Sequence, residues 1–304
     1  MMKKIAVFIV LILIVTSCRI EETERRGPLH IVTTTGIIED VVENIVGDSA
    51  EVSTLMGPGT DPHLYKPTPA DIELLDEADI IISNGLHLEG KMADMLDKYS
   101  SEKPVIKVSD GIDKKQIIKS ADFEDSFDPH IWFDSEIWMY GMEHVANELA
   151  RIDEDTAGYY WGNFIAYKAQ VEDLDQFVRS SLASISDSAR VLITSHDAFS
   201  YFGKRYGLEV KGIQGVSTLS EVGLKDISNM VDFVIERKIK SIFIETSTSD
   251  KTAQSIVDGA KDKGYDLALD GPLFSDALGE PDSEGGTYIG MLRTNVRVIV
   301  EGLK

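Results

Sequence analysis

Residues 155–185 read DTAGYYWGNFIAYKAQVEDLDQFVRSSLASI. Tyr160, Phe164, Tyr167, Val171, Leu174, Phe177 and Leu182 recur mostly at intervals of three or four, which lines up one face of a helix. The segment has no proline, and its two glycines, Gly158 and Gly162, lie near its start. About 30 residues at ~1.5 Å each would reach ~45 Å, longer than most globular helices. One continuous helix would be a rigid rod joining two lobes, whereas a hidden turn would give two shorter helices. The flanking sequence decides what such a rod would connect.

On the N-terminal side, short apolar runs alternate with helical patterns. Residues 29–34, 51–56, 79–83 and 104–108 read as strands, rich in Ile, Val and Thr. Ile37, Ile38, Val41, Val42, Ile45 and Val46 mark a helix face after the first strand. Pro69 suits the first turn of a second helix, with Ile72, Leu74 and Leu75 as its apolar positions, and a third helix falls around Met92–Leu96. On the C-terminal side, residues 190–194, 208–211, 241–245 and 265–269 repeat the strand pattern. Helices fall around Leu224–Ile235, Ala253–Ala260 and Tyr288–Val300. This alternation predicts an α/β protein of two (β/α)4-type lobes, with mostly parallel sheets, joined by the long helix. The expected division is 29–153 for the N-terminal lobe, 154–187 for the connecting helix and 188–304 for the C-terminal lobe.

The first 28 residues differ in character. Lys3 and Lys4 precede an apolar run from Ile5 to Val15, then Val15-Thr16-Ser17-Cys18. Eleven helical residues rise ~16 Å, short of the ~30 Å hydrocarbon core, so the run reads as a secretory signal (residues 1–17) and not a membrane span. The tetrapeptide resembles a bacterial lipobox, which implies cleavage before Cys18 and acylation of its thiol. The alternative is an ordinary signal peptide with an incidental cysteine. Residues 18–28 then form a charged tether lacking periodicity.

The 304-residue chain carries 52 Asp and Glu against 30 Lys and Arg, a formal charge of −22. Removing residues 1–17, with two lysines and no acid, leaves −24 over 287 residues. Such a surface repels phosphate backbones, so no nucleic-acid partner is expected. A single cysteine excludes a disulfide framework and a cysteine-based zinc site.

Three of the six histidines follow strand-like segments: His63 in Asp61-Pro62-His63, His130 in Asp128-Pro129-His130, and His196 in Thr194-Ser195-His196. In open α/β sheets ligands bind beyond the carboxyl ends of strands, so all three can meet in one cleft. Asp276, just past the final predicted strand, is a fourth candidate. Three imidazoles with one carboxylate suit a divalent transition metal better than calcium or magnesium. Proline restricts the backbone of each Asp-Pro-His, and Asp61 and Asp128 could accept the imidazole proton not used in ligation. Glu245, ending the strand at 241–245, could give similar support or cap nearby backbone. His30 reads as a strand residue. His87 could line the cleft, and His144 reads as a helical partner of Glu143 and Glu148. Glu124, Asp125 and Asp128 form an acidic stretch that could steer cations or simply be solvated. Trp132 and Phe133 could wall off the site or pack.

With these residues in view, the sequence closely resembles the solute-binding lipoproteins of zinc/manganese ABC importers, the TroA-like group (cluster A-I). The pieces that carry the resemblance are Met56-Gly57-Pro58-Gly59-Thr60-Asp61-Pro62-His63, Asn84-Gly85-Leu86, residues 128–134 (DPHIWFD), residues 194–199 (TSHDAF), Gly215-Val216-Ser217-Thr218 and Leu273-Phe274-Ser275-Asp276. They run in order over nearly the whole mature chain. The resemblance implies two lobes joined by one long helix, a metal in the cleft, and ligands at His63, His130, His196 and Asp276. It further implies delivery of Zn2+ or Mn2+, with Fe2+ also admitted, to a membrane permease and its cytoplasmic ATPase. The acylated Cys18 would hold a monomer at the outside of a bacterial membrane. Glutamate at the third ligand position marks manganese-type members, whereas this chain has His196. Strongly zinc-dedicated members often carry a histidine-rich loop, but residues 111–127 have no histidine, which leaves zinc and manganese both open. A surface adhesin of the same family is a second reading. A metallohydrolase is a remote third: four protein ligands leave little room for water, and no His-Glu-x-x-His motif occurs.

Overall fold

The computed structural model describes residues 27–120 and 126–304. The signal segment, Cys18, most of the tether, and Glu124 with Asp125 lie outside the described residues.

Among the described residues eight strands form two four-stranded sheets, and every pairing in both is parallel. In the first lobe β1 (Leu29–Thr35), β2 (Ala50–Met56), β3 (Ile80–Ser83) and β4 (Val105–Lys107) lie in the order β2-β1-β3-β4. In the second, β5 (Val191–His196), β6 (Glu209–Gln214), β7 (Ser241–Glu245) and β8 (Ala268–Leu273) take the order β6-β5-β7-β8. The two sheets thus share one winding, and in each the crossovers on either side of the first strand open a crevice at its carboxyl end.

Helices α1 (Gly36–Val46), α2 (Pro69–Glu77) and α3 (Ala93–Tyr99) follow β1, β2 and β3. Helix α2 starts where Pro69 predicts: the Thr68 side chain accepts from the Asp71 N–H, and Asp71 accepts from the Thr68 N–H. Helix α4 (Ser135–Ile152), α5 (Ala157–Leu182) and α6 (Ser200–Tyr206) carry the chain through the junction. Helices α7 (Leu224–Glu236), α8 (Lys251–Asp262) and α9 (Tyr288–Leu303) complete the second lobe.

The long segment is one helix: α5 runs unbroken for 26 residues, ~39 Å. Its buried stripe is Tyr160, Phe164, Tyr167, Val171, Leu174, Val178 and Leu182. Val178 therefore replaces the expected Phe177, because four-residue steps from Leu174 to Val178 to Leu182 keep to one face. Phe177 sits beside the stripe, with the Arg293 guanidinium 4.6 Å above its ring. The stripe belongs to a hydrophobic core that contains residues of both lobes, among them Ile31, Trp138, Phe202, Phe243 and Tyr288. Two satellite cores lie on the outer faces of the sheets.

Three assignments shift. The last strand is 268–273 and not 265–269; as an edge strand it tolerates Pro272, which has no N–H to donate. The strand expected at 190–194 extends to His196, so this imidazole is carried by the sheet itself. His144 lies on α4, but the neighbouring acids pair elsewhere, Glu143 with Lys168 (3.3 Å) and Glu148 with Arg151 (2.8 Å), since long cations reach them better than a short imidazole does.

Candidate metal site

Four side chains from both lobes meet in the cleft. His63 comes from the loop after β2, His130 from the turn before a short helical turn at Ile131–Phe133, His196 from the end of β5, and Asp276 from the loop after β8. Each offers one ligand atom, and these atoms all lie within 4.8 Å of one another. All four residues are buried, with exposures of 0–3%. His130 Nε2 stands 3.3 Å from both His63 Nε2 and His196 Nε2. Asp276 Oδ1 is 3.4 Å from His130 Nε2, and its Oδ2 is 3.2 Å from His196 Nε2. Donors ~2.0–2.1 Å from a tetrahedral ion stand about 3.3 Å apart, close to the spacing of His130 from its three neighbours and of His196 from Asp276. Asp276 Oδ1 is buried and has no hydrogen-bond partner. A buried carboxylate oxygen left so is costly unless a cation meets it.

The outward-facing nitrogens are braced. Asp128 Oδ1 lies 2.7 Å from His130 Nδ1 and also accepts the His130 backbone N–H at 2.9 Å. Glu245 does the same for His196, one oxygen 2.5 Å from Nδ1 and the other accepting the backbone N–H at 2.9 Å. It therefore combines the two roles that the sequence left as alternatives. These contacts place a ring proton on each Nδ1 and leave each Nε2 facing the other donors of the cluster. Asp61 differs: Oδ1 accepts the His63 backbone N–H (2.9 Å) and Oδ2 accepts the Thr218 hydroxyl (2.6 Å), so both oxygens are engaged away from the imidazole.

Electrostatics separates the three histidines. Burial holds the His63 imidazole down to about 3, outweighing attraction by Asp276. Burial also disfavours charge on His130, but Asp128 and Asp276 win and lift it to about 9. His196 is raised well above the usual value because Asp276 and Glu245 overcome burial. Asp276 is depressed far below the carboxylate range, burial being overcome by the two imidazoles facing it. These shifts favour the charged form at His130 and His196 but not at His63, so a cation entering the centre would compete with protons at those two rings.

The surroundings close the back of the site. The Trp132 ring lies edge-on to His130 at 5.3 Å, and its Nε1 donates to the Ser275 carbonyl at 2.9 Å, across the lobes. Phe133 packs on Phe199 at 4.2 Å. Two contributors carried no role in the sequence reading. Asn84 Nδ2 donates to the Pro129 carbonyl (2.9 Å), steadying the His130 turn. Glu89, fully buried, accepts the Thr34 hydroxyl and the Asn84 N–H, both at 2.7 Å, and pins a turn in which Gly85, Leu86 and His87 all have positive φ. The Asn84-Gly85-Leu86 motif was the available signal. His87 itself is exposed, at a separate surface cavity with Leu86, Lys107 and Phe127. His30 stays in β1, with Nε2 3.2 Å from the Ser53 hydroxyl.

The family model described as "Zinc-uptake complex component A periplasmic" (ZnuA) matches residues 31–302. The chain is 42% identical over 276 residues to the manganese-binding lipoprotein MntA of Bacillus subtilis, covering 91% of this chain and 90% of that one. It is 41% identical over 277 residues to the zinc-binding protein TroA of Treponema pallidum, covering 91% and 89%. The solved structure of periplasmic zinc-binding TroA from Treponema pallidum superposes with a TM-score of 0.87 at 40% identity, covering 91% of this chain and 99% of that one. Matched along nearly its whole folded length, with a donor cluster able to hold a metal between two parallel-sheet lobes, this chain belongs to the ZnuA/TroA family of metal-binding solute-binding proteins.

Proposed function

We propose that this chain is the extracytoplasmic solute-binding protein of an ABC importer, capturing Zn2+ or Mn2+ and passing it to a membrane permease driven by a cytoplasmic ATPase. The carrying observation is the buried cluster itself: His63, His130, His196 and Asp276 converge from four loops and strand ends of two lobes with donor spacings suited to one ion. These four are the metal ligands in this reading, and Asp128 and Glu245 orient two of the rings. Asp61 acts on His63 through its backbone.

The two Asp276 oxygens each face a different imidazole. One oxygen completes a tetrahedron for zinc, and both together give the fifth donor that manganese or iron(II) accepts more readily. Four protein donors in a buried centre leave little room for an activated water, which supports reading the chain as a carrier. Acylation of Cys18 after removal of residues 1–17, with residues 18–28 as tether, keeps a monomer at the outer side of the membrane beside its permease. Among the described residues no helix is long and apolar enough to cross a membrane.

The test is calorimetric titration of the purified protein with Zn2+ and with Mn2+. His63→Ala and His196→Ala each remove a donor and should weaken binding by at least about a hundredfold. Unchanged affinity in either variant would reject the ligand assignment.

A further inference from the structure

The motif Gly215-Val216-Ser217-Thr218 follows β6 and supplies none of the four donors. It nevertheless reaches the site from the far side of the cleft. Thr218 Oγ1 donates to Asp61 Oδ2 at 2.6 Å, while Asp61 Oδ1 accepts the His63 N–H at 2.9 Å. A single carboxylate therefore joins the second lobe to the loop that carries an imidazole on the first. The Thr218 loop is held in turn by its own strand. Gln214 Nε2 donates to the carbonyls of Thr218 (2.7 Å) and Ser220 (2.5 Å). Gln214 is also the register partner of His196 in the β5–β6 pairing. The path from His196 through Gln214, Thr218 and Asp61 to His63 links ligands of opposite lobes without passing through the metal position.

Burial marks which side of the cage can open. His130, His196 and Asp276 are 0–1% exposed, His63 is 3% exposed, and Asp61 and Thr218 are only half-buried. His196 is fixed in a strand and His130 is braced by Asp128 and Asn84. His63 sits in the stretch between β2 and α2, which contains neither helix nor strand. That stretch passes close to the second lobe once more at Gly59, whose φ of +68° suits glycine and whose Cβ position would lie 3.7 Å from the Thr246 carbonyl. Movement there breaks no helix or strand bond, and His63 is the most exposed of the four, so it is well placed to swing away.

We propose that Thr218 is a positioning residue for metal retention: its bond to Asp61 latches the two loops across the cleft mouth, keeps His63 in ligating position, and sets the rate at which the ion leaves. The proposal rests on His63 being a ligand. The four donors govern which ion is held; the latch governs how long.

The experiment loads the mature protein with Zn2+ and follows release into excess chromogenic chelator by stopped flow. Thr218→Val keeps the shape and loses the hydroxyl, and should release zinc on the order of tenfold faster, the equivalent of one hydrogen bond to a charged acceptor. Thr218→Ser should restore the original rate, and the circular dichroism spectrum of the metal-free protein should show the parent fold in both. Release from Thr218→Val at the parent rate, or Thr218→Ser as fast as Thr218→Val, overturns the latch. Adding Thr218→Val to Asp61→Ala should accelerate release no further; additive effects also overturn it. His63→Ala is titrated in parallel. Unchanged affinity there would reject the ligand reading itself, whereas lost affinity there with parent-like release from Thr218→Val would reject only the latch.

Discussion

Glu245 shows how much a single side chain can decide at this site. Its two oxygens accept from the backbone N–H and face the Nδ1 of the same histidine, His196. Glutamine at this position has only one acceptor, so one of those contacts becomes donor against donor. Glu245→Gln should weaken metal affinity about 10–100-fold with the fold intact, as titration would show. Proton competition belongs to the same scale. His130 and His196 titrate above the ordinary imidazole range, and their Nε2 atoms face Asp276 at 3.4 and 3.2 Å. Protons therefore compete with a cation for these two rings. Apparent affinity should rise from pH 6 towards pH 9, and calorimetry in buffers of different ionisation enthalpy should register proton release at pH 7. An affinity independent of pH across that interval would contradict the geometry.

Among the elements, three helices are tied where the lobes meet. Arg205 on α6 pairs with Asp134 (3.0 Å) and Glu136 (2.8 Å) at the start of α4, and with Asp175 (2.7 Å) on α5. Asp175 also accepts from Arg179 (2.8 Å) and from the Tyr206 hydroxyl (2.9 Å). Burial disfavours the Asp175 charge, yet these donors outweigh it and hold the carboxyl at about 2. A depressed carboxylate stabilises the fold above its unfolded value, ~3.9, and loses that contribution as pH falls towards 2. Asp175→Asn should therefore lower the melting temperature at pH 7, with the gap to the parent protein closing between pH 4 and pH 2. The cluster also bears on the site, because Asp134 caps α4 only four residues after His130.

For the whole molecule, the decisive fact is a shared core. The buried face of α5 joins residues of both lobes in one hydrophobic cluster, and polar bonds cross the same junction. Tyr288 on α9 donates its N–H to Asp40 (3.0 Å) and its hydroxyl to the Trp132 carbonyl (2.9 Å), and the Tyr167 hydroxyl donates to Asp40 (3.1 Å). Wide opening would expose that core, so capture and release should proceed by loop and ligand movement. Small-angle scattering curves of metal-free and metal-loaded protein should superimpose; a clear increase in radius of gyration on chelation would refute this. Metal binding should also stabilise the native state, by about 4 kcal/mol when free metal is a thousandfold above Kd. Thermal unfolding with and without chelator measures that gain.

Local periodicity was enough to read the alternation of strands and helices, though not the bounds of β8 or whether the rod was one helix, while strand-end placement and the family resemblance singled out His63, His130, His196 and Asp276. A parallel β/α unit places the residue after each strand at the same end of its sheet, and that rule acts within a few residues of chain. The same locality hid the stripe position at Val178, where two adjacent apolar residues compete for one face and only packing chooses between them. It also hid the partners. Thr218 meets Asp61 across 157 residues of sequence, Arg205 meets Glu136 across 69, and Glu245 meets His196 across 49. Hydrogen bonds between distant segments leave no period in the chain, because their partners become neighbours only after the lobes have packed on the common helix. The amino-acid order thus determined which donors could hold an ion, and the tertiary structure decided which side chains orient them and which contact bars the way out.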